Sequence, residues 1–354
     1  MNLRVLAIET SCDETGLAVV HVSGGLRAPK VRVVKSLVAS QIKIHQPFGG
    51  VVPNLAKREH LKNLPVLYAK LTGGAKNEAR FWKAIDLVTV TVGPGLEPAL
   101  WTGIEFAKRI AREHGKPLVG ANHLEGHLYS FLLGPAGRGG AARASLFPAV
   151  ALIVSGGHTV LLRLESFSKW KRLGETRDDA AGEAYDKVAR LLDLPYPGGP
   201  EIERLAKLGN DDAIAFPRPM INDRNFDFSF SGLKTSVLYY LRGQDGTVPT
   251  IRSAKAKADI AASFQKAALD VLVAKTVRAA RDAGAKSVLL SGGVAANRAL
   301  RTRLARESRR IGAPCLVPPP AYNLDNAAMI GVAGAMAHLR KKRYPLTADG
   351  GLDI

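Results

Sequence analysis

A strand–turn–strand pattern that occurs twice is the feature that most limits the folds open to this chain. Residues 5–20 read as an apolar run, a polar turn rich in hydroxyl groups and a second apolar run, and residues 150–164 repeat this order with a shorter turn. Apolar runs that flank such turns predict β-hairpins. The recurrence predicts two related lobes that face each other across a cleft.

Other segments alternate between strand and helix. Residues 287–297 read as a buried strand that enters a Gly-Gly turn, and a helical pattern follows over 298–310. A helix over 100–113 follows the strand-like residues 87–92, and an apolar stripe over 260–271 predicts another helix. We therefore expect an α/β protein.

Composition limits the compartment and the partners. The net charge is +19, a surplus that favours phosphate-rich partners, so nucleic acid is a candidate, although solvated helix faces would give the same composition. The chain has two cysteines, Cys12 and Cys315, which is no disulfide framework. Without a membrane-length apolar run or a leading signal segment, we expect a cytoplasmic protein.

Glycine-rich turns follow several of the predicted strands. Ser155, Gly156 and Gly157 lie between two strands, whereas residues 291–293 lie at a strand-to-helix turn. Glycine lets backbone N–H groups approach a phosphate, and a helix N-terminus adds its dipole. Each turn alone could be purely structural, but together with the turn of residues 10–15 they favour a bound nucleotide. Neither the P-loop nor the Gly-x-Gly-x-x-Gly motif is present.

Acidic residues cluster over 177–187, close to a Gly-Gly pair. A charged surface helix would explain the cluster. We favour the wall of a binding site, in which Asp186 accepts hydrogen bonds from a ribose while Gly198 and Gly199 allow the sugar to come close.

A pair of histidines offers a metal site. His123 and His127 are about one turn apart, roughly 40° around a helix, and could share one ion, although two partly buried histidines on an amphipathic helix would look the same. Asp325, in a turn ahead of an apolar helix, would complete a set of two histidines and one carboxylate suited to Fe(II) or, less selectively, Zn(II). Spacing alone does not select Asp325 among the other acids.

Eight motifs in order along the chain resemble one family, the bacterial-type tRNA N6-adenosine threonylcarbamoyltransferases (TsaD, older name Gcp or O-sialoglycoprotein endopeptidase). The motifs are residues 8–15 (IETSCDET), 49–53 (GGVVP), 93–96 (GPGL), 123–127 (HLEGH), 155–159 (SGGHT), 178–187 (DDAAGEAYDK), 228–235 (FSFSGLKT) and 291–297 (SGGVAAN). Each is weak alone, but the series is specific and spans nearly the whole chain.

The resemblance implies a two-lobed fold of the actin and sugar-kinase (ASKHA) type with duplicated RNase H-like lobes. We expect an N-terminal lobe over 1–121, on which a C-terminal helix at about 327–354 could pack back, and a C-terminal lobe over 122–326 with the nucleotide and metal sites. Residues 134–143 are expected to form a loop.

The resemblance also implies an activity. A threonylcarbamoyl group would pass from threonylcarbamoyl-AMP to N6 of adenosine 37 in tRNAs that read ANN codons, with release of AMP. The expected partners are tRNA, a TsaB-like paralogue and a TsaE-like ATPase.

Site residues follow from the motif match. The metal, Fe(II) with Zn(II) as the alternative, would be held by His123, His127 and Asp325. Asp13 and Glu14 are candidates for a general base. The adenylate would be bound by Ile153, Val154, Ser155, Gly156, Gly157, Asp186, Gly199 and Asn297.

Three other functions remain to be weighed. For one of them, a small-molecule kinase of the same superfamily, the acidic run over 178–186 does not decide the question. A metal-dependent peptidase would need a glutamate near the ion, whereas Glu125 lies about 200° around the helix from His123. A non-catalytic nucleotide-binding scaffold would not need both histidines and Asp325.

Overall fold

The computed structural model describes residues 2–134, 146–242 and 253–354. Contacts divide the chain into two compact units. Unit 1 is formed by the described parts of Met1–Ser145, Ser166–Ser168 and Val317–Ile354, and unit 2 by those of Leu146–Glu165 and Lys169–Leu316. Apart from its first residue, the stretch 134–143 that we expect to be a loop lies outside the described residues.

Unit 1 contains a five-stranded sheet in the order β3-β2-β1-β4-β5. The strands are β1 (Asn2–Glu9), β2 (Glu14–Ser23), β3 (Lys30–Ser40), β4 (Leu87–Gly93) and β5 (Leu118–Asn122). Strands β1 to β3 are antiparallel neighbours, whereas β4 runs parallel to β1 and β5 runs parallel to β4. The first hairpin is confirmed, with Glu9 opposite Gly16.

Unit 2 has a second five-stranded sheet. Its strands are β6 (Ala149–Val154), β7 (Thr159–Ser166), β8 (Lys169–Glu175), β9 (Ser287–Ser291) and β10 (Cys315–Leu316). Their order, β8-β7-β6-β9-β10, matches the order in unit 1 strand for strand. The hairpin of β6 and β7 is antiparallel, and β9 runs parallel to β6. The predicted second hairpin and the predicted duplication are both confirmed.

Helices connect and cover the two sheets. Unit 1 has α1 (Ile42–His45), α2 (Pro53–Thr72), α3 (Ala75–Lys83), α4 (Glu97–Glu113), α5 (His123–Tyr129) and α11 (Ala327–Leu339). Unit 2 has α6 (Ala181–Leu191), α7 (Gly198–Ala206), α8 (Ser231–Arg242), α9 (Ala254–Asp282) and α10 (Arg298–Arg310). Helix α4 begins three residues before the predicted start because Pro98 fits a first helical turn. Within the described ranges, no helix has the length and apolarity needed to cross a membrane.

The C-terminal helix α11 is part of the core of unit 1. Its residues from Ala327 to Ala337 are all buried, as expected for a helix that is apolar on every face. It packs on strands β1, β2 and β4. At Gly334 a Cβ atom would lie 2.0 Å from Oγ1 of Thr89, so only glycine allows this approach of helix and sheet.

The observed division of the chain differs from the expected boundary at residue 122. Helix α5, which carries both histidines, packs against α11 and therefore belongs to unit 1. Asp325 lies in the same unit because its turn leads directly into α11. The candidate metal residues are thus in unit 1, whereas the candidate nucleotide residues are in unit 2.

Candidate functional site

Helix α5 presents two histidines on one face. It begins directly after β5, where the Asn122 side chain accepts hydrogen bonds from the backbone N–H groups of Leu124 (2.8 Å) and Glu125 (3.1 Å). The imidazole rings of His123 and His127 lie 4.7 Å apart between centroids and are almost perpendicular. The strand end and the cap together set the position of this helix.

Asp325 lies beside both imidazoles. Its Oδ1 is 3.1 Å from Nε2 of His127 and 3.5 Å from Nε2 of His123. The next residue, Asn326, caps α11 by accepting a hydrogen bond from the backbone N–H of Met329. Candidate ligand atoms of the three residues lie within 4.8 Å of one another, so they form a site that could hold a metal ion.

The donor set of these residues fits a metal ion. His127 is fully buried, and within the described ranges neither of its ring nitrogens has a partner with hydrogen-bond geometry. Buried polar atoms without partners are costly, and a cation between the two imidazoles and the carboxylate would satisfy Nε2 of His127, the nitrogen that faces Asp325. Two imidazoles and one carboxylate leave other coordination positions open.

The two histidines have opposite shifts in pKa. Burial lowers the pKa of His127. Burial also acts on His123, but the carboxylates of Asp325 and Glu9 outweigh it and raise the pKa of this histidine to about 9. Metal binding would therefore displace a proton from His123, because a ligand nitrogen must be unprotonated.

Glu125 of the same helix is directed away from the metal residues. It is fully buried, and its carboxylate accepts hydrogen bonds from Arg340, from Lys342 (3.3 Å) and from the Tyr344 hydroxyl (2.6 Å). A peptidase of the zincin type instead has a glutamate directly after the first histidine, which acts as a base beside the ion. The ion pair shows instead that Glu125 anchors the C-terminal segment.

The hydroxyl-rich turn of residues 10–15 lies near the carboxylate of Asp325. Asp13 and Glu14 in this turn are both buried. Burial, followed by the negative charges of Asp13 and Asp325, raises the pKa of Glu14 to about 10. This shift favours the protonated form of the Glu14 carboxyl, which counts against Glu14 as a base at neutral pH.

Sequence reasoning missed three polar residues around this turn. Oε2 of Glu9 lies 3.2 Å and the Ser11 hydroxyl 3.1 Å from Nδ1 of His123. His60 of α2 contacts the Thr15 hydroxyl (2.8 Å) and the Cys12 carbonyl oxygen (3.0 Å). A glutamate that ends the apolar strand β1 was the one available signal, because such a buried charge needs a partner.

In unit 2, the β6–β7 turn packs on the start of helix α6. The backbone N–H groups of Gly182 and Glu183 donate to the carbonyl oxygens of Ser155 and Gly156. The Ser155 hydroxyl accepts a hydrogen bond from the backbone N–H of His158. A Cβ atom added to Gly156 or Gly157 would have no atom within 4 Å, so the space above this turn is open.

Gly292, at the end of β9, packs against strand β6. Its φ is +92°, and a Cβ atom there would lie 2.3 Å from the Val154 carbonyl oxygen. Ile153 and Val154 of that strand are fully buried. The glycine of this second Ser-Gly-Gly turn is therefore required by packing.

Of the remaining nucleotide candidates, Asp186 lies within α6, whereas Gly199 and Asn297 lie at helix N-termini. Oδ1 of Asp186 accepts a hydrogen bond from the Gly198 N–H at 2.7 Å, and a Cβ atom at Gly199 would meet open space. Asn297 caps α10 through the N–H of Leu300 and donates to Gln265. Asp186 and Gly199 are thus brought together, while the contacts of the Asn297 side chain to Leu300 and Gln265 are structural.

Solved structures show which class this fold belongs to. HypF from T. kodakarensis matches with a TM-score of 0.52 and 16% identity over 91% of this chain, which spans 47% of that HypF chain. Full-length HypF in a phosphate- and nucleotide-bound form also matches with a TM-score of 0.52, at 12% identity over 98% of this chain and 56% of the HypF chain. At these identities the likeness shows the fold alone. That fold is the actin and sugar-kinase class, as predicted.

Sequence relatives are much closer. One from Thermosipho melanesiensis, named tRNA N6-adenosine threonylcarbamoyltransferase, is 47% identical over 93% of both chains. Another of that name, from Moorella thermoacetica, is 47% identical over 99% of this chain and 96% of its own. The family model of TsaD, tRNA N6-adenosine threonylcarbamoyltransferase, matches residues 32–332. The chain belongs to this family, which confirms the predicted resemblance.

Proposed function

We propose that this protein transfers a threonylcarbamoyl group from threonylcarbamoyl-AMP to N6 of adenosine 37 in tRNAs that read ANN codons. The observation that carries the proposal is the 47% identity to threonylcarbamoyltransferases over nearly the full length of both chains. Family membership likewise makes the chain a transferase that acts on tRNA. The net charge of +19 suits a polyanionic substrate.

The reaction needs positioning more than bond activation. The N6 amine attacks the carbamoyl carbon, the bond from that carbon to the phosphate oxygen breaks, AMP leaves, and the amine loses a proton to a base. Because the phosphate is already a good leaving group, the protein mainly has to align the two substrates and stabilise charge on the carbamoyl oxygen and the phosphate.

His123, His127 and Asp325 would hold the metal ion, which we propose is Fe(II), with Zn(II) as the alternative. The support is the close approach of the three ligands and the unsatisfied Nε2 of buried His127. When bound, such an ion supplies a Lewis acid that stabilises negative charge.

Residues of unit 2 would bind the adenylate. Open space above Gly156, Gly157 and Gly199 leaves room for a ligand close to the backbone. Asp186 would accept a hydrogen bond from the ribose, since an ionised carboxylate acts only as an acceptor and has about four lone-pair sites. We include Asn297 because it stands at the N-terminus of α10, where the helix dipole favours anions. Ile153, Val154 and Ser155 are included because the family resemblance assigns them to this site.

A general base, if one takes part, would come from the turn that carries Asp13 and Glu14. Asp13 is the better candidate, because the pKa of Glu14 is raised to about 10 by burial and by neighbouring carboxylates. A bound cation would lower that pKa, so Glu14 stays the second candidate in the metal-loaded protein.

We further propose that a TsaB-like paralogue and a TsaE-like ATPase assist the reaction, and that the protein works in the cytoplasm, where its tRNA substrate is found. These partners follow from the family resemblance and not from a surface on this chain.

Reconstitution tests the function. Purified protein is incubated with threonylcarbamoyl-AMP and unmodified tRNA that reads ANN codons, with and without the two partners, and the nucleosides are analysed by mass spectrometry. We expect threonylcarbamoyladenosine with wild type and its loss with His123→Ala, while Arg343→Met, which changes an exposed side chain, serves as the control. Absence of the modified nucleoside under every partner combination would refute the proposed transfer.

A further inference from the structure

Glu9, the last residue of β1, is a buried carboxylate with no assigned role. Its exposed fraction is zero, and among the residues described here His123 is its only ionic partner within 4.0 Å. Because burial of a charge is costly unless it is paired and hydrogen-bonded, a residue of this kind needs an explanation.

Both oxygen atoms of Glu9 are held in place. The Ser11 backbone N–H donates to Oε1 at 2.5 Å, and the Thr91 hydroxyl donates to Oε2 at 2.8 Å. Oε2 also lies 3.2 Å from Nδ1 of His123. Two donors therefore fix the orientation of the carboxylate, which directs one oxygen at the imidazole.

We propose that Glu9 is a positioning residue for the metal site, since it accepts a hydrogen bond from Nδ1–H of His123. A neutral imidazole that donates through Nδ1 has its lone pair on Nε2. That nitrogen is the one close to Asp325. Carboxylates that bind metal-ligating histidines in this way orient the ring and raise its basicity. This inference rests on the proposed metal site.

The two histidines differ in this respect. His123 has a carboxylate on the side of the ring opposite Asp325, whereas Nδ1 of His127 has no hydrogen-bond partner in the described part of the chain. His123 is thus the ligand whose ring is oriented before an ion binds. The structure assigns this orientation to Glu9.

Ser11 offers an alternative acceptor, since its hydroxyl lies 3.1 Å from the same Nδ1. A carboxylate is the stronger acceptor, because a hydrogen bond to a charged oxygen is about twice as strong as one between neutral groups. Glu9 also cannot donate when ionised, whereas a hydroxyl can rotate to donate or accept. Glu9 therefore selects one tautomer and Ser11 alone does not.

The variant Glu9→Gln tests whether Glu9, and not Ser11, is the acceptor that orients His123. If the amide oxygen of the new side chain faces His123, its NH₂ group faces the Ser11 N–H, which is also a donor. If the amide is turned, its NH₂ group faces Nδ1 and favours a proton on Nε2, where the metal would bind. Either arrangement weakens the site at nearly constant shape.

The test is a Zn(II) titration of the metal-free full-length protein against a chromogenic chelator. We expect Glu9→Gln to weaken Zn(II) binding about 10- to 100-fold, and Ser11→Ala to change it less than about threefold. Glu125→Gln is the matched control, a buried carboxylate on α5 that faces away from the site, and folded protein carrying it should bind Zn(II) like wild type.

Two outcomes would overturn the inference. Glu9→Gln could bind within about threefold of wild type, or Ser11→Ala could lose binding while Glu9→Gln keeps it. If wild type binds no metal, the proposed metal site is refuted together with the role of Glu9. If wild type binds metal and Glu9→Gln binds it equally well, the role of Glu9 alone is refuted.

If Glu9→Gln does not fold, a second measurement on wild type tests the inference. In Zn(II)-loaded wild type, ¹⁵N NMR of labelled histidine, with His123 assigned from a His123→Ala spectrum, should show Nδ1 protonated and Nε2 not. The reverse protonation pattern would refute the role of Glu9.

Discussion

Arg340→Met tests whether Glu125 anchors the C-terminal segment. The two side chains form an ion pair in which Arg340 is 9% and Glu125 0% exposed. Breaking a buried pair by removing one partner costs about 3–5 kcal/mol, because it leaves an uncompensated charge. Tyr344 and Lys342 still contact Glu125, so we expect a loss in the free energy of unfolding near the lower end, about 3 kcal/mol.

A double-mutant cycle isolates the pair. Glu125→Gln neutralises the carboxylate and should cost about 2 kcal/mol through its lost charged hydrogen bonds. Once the Glu125 charge is gone, removal of Arg340 no longer leaves an uncompensated buried carboxylate. The double variant should therefore cost about 2 kcal/mol less than the sum of the single variants. Arg343→Met, in the same segment but exposed, should change stability by less than about 0.5 kcal/mol.

Urea denaturation of the metal-free protein, followed by circular dichroism and by tryptophan fluorescence, gives these free energies if the two transitions coincide. A cost below about 1 kcal/mol for Arg340→Met, or additivity in the double variant, would show that the ion pair does not hold this segment. The same result would reopen the question of what Glu125 does.

Three further predictions concern the site and its supports. Asp325→Asn should weaken Zn(II) binding by at least about 100-fold in a chelator competition, since even residues that only support ligands are worth about 10- to 100-fold; unchanged binding would exclude Asp325 as a ligand. Gly292→Ala should lower the free energy of unfolding by more than about 2 kcal/mol, because its φ is +92° and the Val154 carbonyl oxygen blocks a Cβ atom, whereas Gly156→Ala, with open space, should cost less than about 1 kcal/mol. Burial lowers the pKa of His60 below its ordinary value of 6.5. The unfolded chain therefore binds the proton more readily than the folded chain, and the free energy of unfolding decreases as the pH falls below 6.5. His60→Gln should therefore flatten the decline in urea midpoint between about pH 6.5 and 5, and equal slopes would contradict this.

Local patterns were sufficient for much of the secondary structure. Both hairpins, the strand Ser287–Ser291 and helix Arg298–Arg310 are where the sequence predicts them, because the periodicity of apolar residues and the turn residues act over a few positions. The pair His123 and His127 could be proposed for the same reason, since a separation of four residues places them on one helix face.

Long-range packing decided the rest. Asp325, Glu9 and His123 are far apart in the sequence, and their proximity depends on the order of the strands and on α11 packing against β1. Spacing could not select Asp325 among the acids or reveal Glu9, because no local rule relates these positions. The assignment of α5 to the first unit has the same origin.

The sequence by itself determined the α/β class, the duplicated hairpins, the helix that bears both histidines and, through its motifs, the family. Only the tertiary structure decided which carboxylates meet those histidines and that Glu125 is directed away from them. The reason is physical: elements form from local periodicity, whereas a site forms where side chains from distant segments are buried together and must satisfy one another's charges and hydrogen bonds.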